Sequence, residues 1–348
     1  MTTKDITFPP IFCPFPSVVN PHREAVHEHT LAWARRFGLV KNEAAIARLR
    51  DTKLDSLVAR AYSRASHDPL AIITDWLTWL FVLDDECDEA EIGKRPERLA
   101  ALQAQCLKVL SGPRSKNLPT LPRSRPDRPD VALIHALYDL RGRLEALMSR
   151  AWVDRFAVSI AEYFEAGVWE ARNRELETWP DSATYTRMRP YAGGMYILLD
   201  LIDLTEGDTL PLVVRKHPYF QRLMLITSNV VLWCNDLFSC AKELAHQDMH
   251  NLALILRHQE DIPLQAAVDR VARLIEREVK RFIALEARLP SFGPTIDGVV
   301  QRFIAGLRDW MRGSLDWSYE SGRYRPTYAS APMDLPEPRS AGGGSVNQ

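Results

Sequence analysis

Apolar residues recur along most of this chain at three- and four-residue intervals, the spacing that places them on one stripe of an α-helix. The clearest run covers residues 69–88, PLAIITDWLTWLFVLDDECD. Asp68 can cap its first free amides, and Pro69 suits the first helical position, where no amide is needed. Leu70, Ile73, Leu77, Leu80 and Phe81 form the stripe, and its continuation arrives at Asp84 and then Asp88 on the inward face. The same periodicity predicts helices over 22–37, where Gly38 stops the pattern, and over 42–63, 95–110, 131–150 and 153–177. Others follow over 184–204, interrupted by Gly193 and Gly194, then over 218–246, 264–289 and 296–321. Alternating β-branched runs bounded by turn residues are absent, as are GxGxxG and the phosphate loop GxxxxGKS/T. The expectation is an all-α protein, and without an internal repeat it is one bundle around a central space rather than a solenoid.

Three stretches break the pattern. Residues 8–21, FPPIFCPFPSVVNP, hold five prolines among aromatics, which excludes a regular helix and predicts an extended strap on the body, the strap taken as residues 1–21. Residues 112–130, GPRSKNLPTLPRSRPDRPD, are rich in proline and basic residues and read as a surface loop. The end of the chain, residues 326–348, finishes in SAGGGSVNQ and reads as a flexible tail behind a single domain over 1–325.

Composition narrows the partners. At 348 residues the chain can bury a large core, and its 44 basic residues nearly balance its 45 acidic ones. No net field favours a nucleic acid or an anionic membrane surface. The start, MTTKDITFPP, lacks a basic segment followed by an apolar run, and no stretch of about 18 apolar residues passes without a charge. A soluble, cytoplasmic protein without membrane insertion is expected. The five cysteines are odd in number and show no CxxC spacing, so they read as reduced thiols rather than a zinc site.

Aspartates on the inward stripe of an apolar helix need neutralising, and oxygen ligands suit magnesium better than zinc. A second set of oxygens stands in CNDLFSCAKE, where Asn235, Ser239 and Glu243 follow at four-residue steps and share one helix face. These residues spell NDxxSxxKE, which resembles the second metal motif of bacterial class I terpene synthases. Asp84-Asp85-Glu86-Cys87-Asp88 resembles the first motif, DDxxD, and the two occur in the family's order, with general similarity up to Tyr324. In TRMRPYAGGMY, Arg189 stands where the family keeps its diphosphate-sensing arginine, with Arg187 as a competitor, and Gly193 stands where a helix break turns a carbonyl toward the substrate. Ala192 departs from the polar residue common between them. Arg323 and Tyr324 match the Arg-Tyr pair of the C-terminal lid.

The resemblance implies the class I helical bundle with a central active-site cavity, and an enzyme of the terpene cyclase type, a carbon–oxygen lyase acting on phosphates. It would use magnesium, three ions, with manganese able to substitute. Asp84, Asp88, Asn235, Ser239 and Glu243 would bind metal, with Asp85 supporting them from behind. Arg189, Lys242, Arg323 and Tyr324 would contact the diphosphate, and Phe81, Trp317, Trp310 and Thr78 would line the pocket. The implied substrate is a prenyl diphosphate, first farnesyl diphosphate giving a sesquiterpene, then geranylgeranyl diphosphate as the alternative. A chain-elongating prenyltransferase would carry a second aspartate-rich motif where NDLFSCAKE stands, and a class II cyclase would need DxDD, which is absent. A helical binding protein without turnover is the non-enzymatic alternative. Monomer and homodimer are both open.

Overall fold

The helices read from the periodicity are present in the computed structural model, which describes residues 7–89, 95–112, 129–205, 207, 209–327 and 339–340. In chain order they are α1 (Arg23–Arg36), α2 (Glu43–Thr52), α3 (Leu54–Ala61), α4 (His67–Glu89), α5 (Pro96–Ser111), α6 (Pro129–Leu147) and α7 (Arg150–Glu175). There follow α8 (Ser182–Ala192), α9 (Met195–Asp200), α10 (Leu212–Arg215), α11 (Pro218–His246), α12 (Leu252–Glu260), α13 (Leu264–Glu286) and α14 (Pro294–Glu320). A 3-10 segment, Gly322–Thr327, closes the bundle, and a two-residue strand β1 (Val18–Val19) pairs in parallel with β2 (Arg339–Ser340). The loop expected over 112–130 and the tail from 326 fall largely outside the described residues.

α11 is the axis. It is apolar nearly all round, and such a helix is buried unless it crosses a membrane. Its mean hydropathy of 1.3 over a membrane-length window meets the criterion for a span, yet 83% of that window is buried inside the protein. Pro218 opens it at a position where a missing amide costs nothing, and His217 caps it. α8, α12, α13 and α14 pack around it, while α3 and α6 hold α4, and α3 also lies along α14. One continuous apolar core runs from Cys13 and Phe15 through all the long helices to Tyr324.

The described part of the proline-rich stretch carries no helix and lies against the long helices. Phe8 packs edge-on against Phe238 of α11 at 4.7 Å, Phe15 meets Phe282 of α13 at 5.8 Å, and Arg312 of α14 donates to the Cys13 carbonyl at 3.1 Å. The break in the 184–204 helix is also present. Gly194 adopts φ +65°, a left-handed conformation that glycine reaches without a Cβ penalty, and the chain restarts as α9.

Two expectations need correction. The single helix over 42–63 is divided at Lys53, which takes a left-handed conformation (φ 54°, ψ 45°) and turns α3 inward; no Gly or Pro marks the place. Periodicity places no helix between 246 and 264, yet α12 forms there. Asn251 starts it by accepting from the amides of Ala253 and Leu254, and the run LALIL is too short and too uniformly apolar to show a period.

α3 and α14 approach closely because of Gly313. A Cβ at that position would stand 2.7 Å from the Arg60 Cβ and 2.9 Å from the Arg60 carbonyl carbon, and backbone cannot swing aside. Gly313→Ala is therefore expected to lower the unfolding free energy by about 1–3 kcal/mol. Urea denaturation measures it, and an unchanged midpoint would mean that the two helices do not meet at this glycine.

Candidate active site

Four-residue steps place Asn235, Ser239 and Glu243 along one face of α11. Asn235 Oδ1 accepts from Arg189 Nη2 at 2.8 Å, and its Nδ2 donates to the Tyr324 hydroxyl at 2.7 Å. Ser239 Oγ donates to the Asn235 carbonyl at 2.8 Å, and Glu243 Oε2 accepts from Asn251 Nδ2 at 2.6 Å. Each residue is thus held through one or two bonds and retains oxygen lone pairs, because amide, hydroxyl and carboxylate oxygens each carry two or more.

Behind this row lies a buried ionic centre. Asp236 is 0% exposed, and its Oδ1 accepts from Arg189 Nε at 3.0 Å and Nη2 at 2.7 Å. Its Oδ2 takes the Leu252 amide at 3.0 Å and lies 2.9 Å from the Tyr185 hydroxyl. Asn251 both starts α12 and reaches Glu243, so the two ends of the row are fixed by the same small network. Asp236, Asn251 and Tyr185 carry no role in the sequence reading. A signal for two of them was there, since an acid directly after Asn235 points about 100° away from its face and an Asn directly before LALIL is a capping residue.

The opposite wall is the end of α4. Its stripe is buried through Leu80 and half-buried at Phe81, but the Asp84 side chain is 54% exposed, which corrects the expectation of an acid on the inward face. Asp84 stands at the rim, where water offsets its charge. The side chains of Asp85 and Asp88 lie outside the described residues. Arg323 Nη2 comes to 3.6 Å from Asp84 Oδ2, and its guanidinium lies over the Phe81 ring at 5.3 Å. The next residue, Tyr324, is bonded to Asn235 on the other wall. Two consecutive residues of the closing segment therefore connect α4 to α11. Phe81 and Trp317 meet edge to face at 6.2 Å, and Trp317 meets Tyr324 at 5.7 Å, so these aromatics adjoin the same junction.

Other candidates lie elsewhere. Arg187 is exposed, whereas Arg189 is nearly enclosed, which separates the two competing arginines. Lys242 is exposed on α11. Gly193 ends α8 against Leu232, whose side chain fills the space a Cβ would need. Trp310 is buried against Tyr62 at 5.4 Å, and Thr78 lines a small hollow walled by α1, α3 and α4 residues such as His27, Leu54 and Thr74.

The electrostatics suit a cation. Burial, reinforced by the nearby Asp236 charge, pushes the Glu243 carboxyl up to about 8, so its ionised form wants a positive partner. Burial holds the Tyr324 phenol at about 12, which keeps it protonated as a donor. Among the described residues no three His, Cys, Asp or Glu side chains converge. A metal here would rest on the mixed amide, hydroxyl and carboxylate set, which is chemically hard and suits a small divalent ion.

Residues 75–281 match the model of terpene synthase family 2, C-terminal metal binding. The (+)-T-muurolol synthase of Roseiflexus castenholzii, a farnesyl diphosphate-cyclising protein, is 37% identical over 320 residues, spanning 92% of this chain and 94% of its own. The chain belongs to the terpene synthases. The germacrene A synthase of Nostoc punctiforme is 36% identical over 91% of this chain and 94% of that protein. Among solved structures, wild-type cucumene synthase superposes with a TM-score of 0.72 at 28% identity, covering 88% of this chain and 99% of that one. The α-eudesmol synthase, with a TM-score of 0.75 at 22% identity over 90% of this chain and 100% of its own, shares the fold. This terpene synthase is accordingly an all-helical class I enzyme and a lyase, and its family is a metal-binding one.

Removing Asp236 would leave Arg189 buried without its counter-charge. Asp236→Ala is expected to destabilise the protein by about 3–5 kcal/mol, the usual consequence of breaking a buried pair from one side. Chemical denaturation reads this directly, and a loss within about 1 kcal/mol would mean that Arg189 finds compensation elsewhere.

Proposed function

We propose that this terpene synthase ionises a linear prenyl diphosphate and cyclises the resulting cation, with farnesyl diphosphate as substrate and a sesquiterpene as product. The observation that carries the reading is the junction of Arg323 and Tyr324, which joins Asp84 on one wall to Asn235 on the other. The (+)-T-muurolol synthase that matches over nearly the whole chain cyclises farnesyl diphosphate, which supports the choice of chain length.

Asp84 and Asp88 on α4, and Asn235, Ser239 and Glu243 on α11, would hold magnesium, three ions in the arrangement the family resemblance implies, with manganese able to substitute. When bound, the metal supplies positive charge to the diphosphate oxygens as the allylic carbon–oxygen bond breaks. Arg189 is anchored to Asp236 and Asn235 through Nε and Nη2, and it offers the two N–H donors of Nη1 to the departing group. Arg323 and Lys242 add charge, and Tyr324 keeps its own proton for a diphosphate oxygen while accepting from Asn235. Donors fixed before the reaction stabilise the developing charge without reorganising, and such stabilisation is strongest away from water.

The cation that remains needs walls that stabilise charge without attacking it. The faces of Phe81 and Trp317 would do so, each worth about 0.5–2 kcal/mol when well placed, with Trp310 and Thr78 further from the junction. Gly193, at the break between α8 and α9, would turn a backbone carbonyl toward the same space. The closing segment would exclude water, which otherwise captures the cation as an alcohol.

Incubation with geranyl, farnesyl and geranylgeranyl diphosphates plus magnesium, followed by analysis of the extract, is expected to give a hydrocarbon from farnesyl diphosphate. Asp84→Asn, Glu243→Gln and Arg189→Ala should each lower turnover by about a hundredfold or more. No turnover of any substrate would remove the enzymatic reading, and near-normal rates in two of the variants would move the site elsewhere.

A further inference from the structure

The division of the expected 42–63 helix has a use. Lys53 is held left-handed although it is neither glycine nor asparagine, and such residues persist where the surroundings enforce them. The turn frees the last carbonyl of α2, Thr52, from the helical ladder and aims it at the end of α14. Thr52 O accepts from Trp317 Nε1 at 2.8 Å and from the Ser321 hydroxyl at 3.1 Å. Ser321 is 0% exposed, and its Oγ also accepts from the Arg323 amide at 3.2 Å. One hydroxyl thus ties the backbone of Arg323 to the end of α2. Beside it, a Cβ on Gly322 would coincide with the carboxylate of Asp51. Immediately after the turn, α3 is tied to the end of α14, because Ser56 donates to Glu320 at 2.9 Å and Arg60 pairs with both Glu320 and Asp316.

We propose that the α2–α3 junction is a seat for the closing segment, and that Ser321 and Gly322 are positioning residues which aim Arg323 at Asp84 and Tyr324 at Asn235. The inference rests on the reading that Arg323 and Tyr324 engage the diphosphate. Neither residue touches substrate; each acts through the two that follow. Displacing a lid by about 1 Å is enough to lose two orders of magnitude in rate, so the seat is as consequential as a direct contact.

Ser321→Ala removes both hydroxyl bonds and little volume. It is expected to keep a melting temperature within about 3 °C of wild type. Its kcat/KM should fall by about 10–100-fold, with a several-fold larger share of acyclic alcohols. Calorimetric affinity for inorganic diphosphate in the presence of magnesium should drop by about tenfold. Gly322→Ala should behave in the same way, and adding Asp51→Ala, which deletes the carboxylate atoms in the path of the new methyl, should bring both readouts back to within about threefold of wild type. The titration needs no turnover, so a wild type that binds diphosphate but converts no prenyl substrate would sink the cyclase reading while the variants' weakened binding still supported the seat. Wild-type behaviour of both Ser321→Ala and Gly322→Ala, or a Gly322→Ala defect that Asp51→Ala does not repair, overturns the proposal.

Discussion

Arg189 and Asp236 meet inside the bundle, and the arrangement of the Asn235, Ser239 and Glu243 face of α11 follows from that meeting. A carboxylate with no exposure must be neutralised and hydrogen-bonded, and Asp236 draws its partners from two neighbouring helices: Arg189 and Tyr185 on α8, and the first amide of α12. Arg189 then reaches past Asp236 to Asn235, and Asn251, bound to the carbonyl of Asp236, reaches Glu243. The donor row is held from behind at both ends. Its open oxygens can face a cation and a diphosphate without first rearranging, which is the electrostatic condition for ionisation chemistry.

Much of this was readable in the residues. Three- and four-residue spacing found α4, α11 and α14 because each is long and has a sustained stripe, and the four-residue steps of Asn235, Ser239 and Glu243 put them on one face of α11, as the structure has them. Gly193 and Gly194 announced their break, since glycine is the residue a left-handed turn asks for. Lys53 gave no such sign: its left-handed turn stands where α3 sets off to pack on α14, and local composition does not encode such tertiary contacts. The exposure of Asp84 is of the same kind, because periodicity fixes the direction of a side chain but not where the neighbouring helices end. Asp236 was visible only as a letter between two proposed ligands, and its role depends on Arg189, 47 positions away in the chain.

The closing segment ties the proposed metal face to the apolar body. Tyr324 is 2% exposed, set between the rings of Trp317 at 5.7 Å and Phe238 at 5.9 Å, and Phe238 in turn carries Phe8 of the strap. A phenol in such surroundings stays protonated and holds one orientation. Arg323 stands beside Asp84 while lying over Phe81. The same few residues therefore span the change from the charged mouth, where the proposed reaction would stabilise its leaving group, to the aromatic interior, where its cation would have to survive.

The claim on which all of this turns is that the two walls share one metal-bound diphosphate. Crystals grown with manganese and inorganic diphosphate would test it by anomalous scattering. The account predicts metal within about 2.1–2.4 Å of Asn235 Oδ1, Ser239 Oγ and a Glu243 carboxylate oxygen, with further metal at Asp84 and the diphosphate bridging toward Arg323. Metal bound away from this row, or diphosphate held by one wall alone, would contradict it.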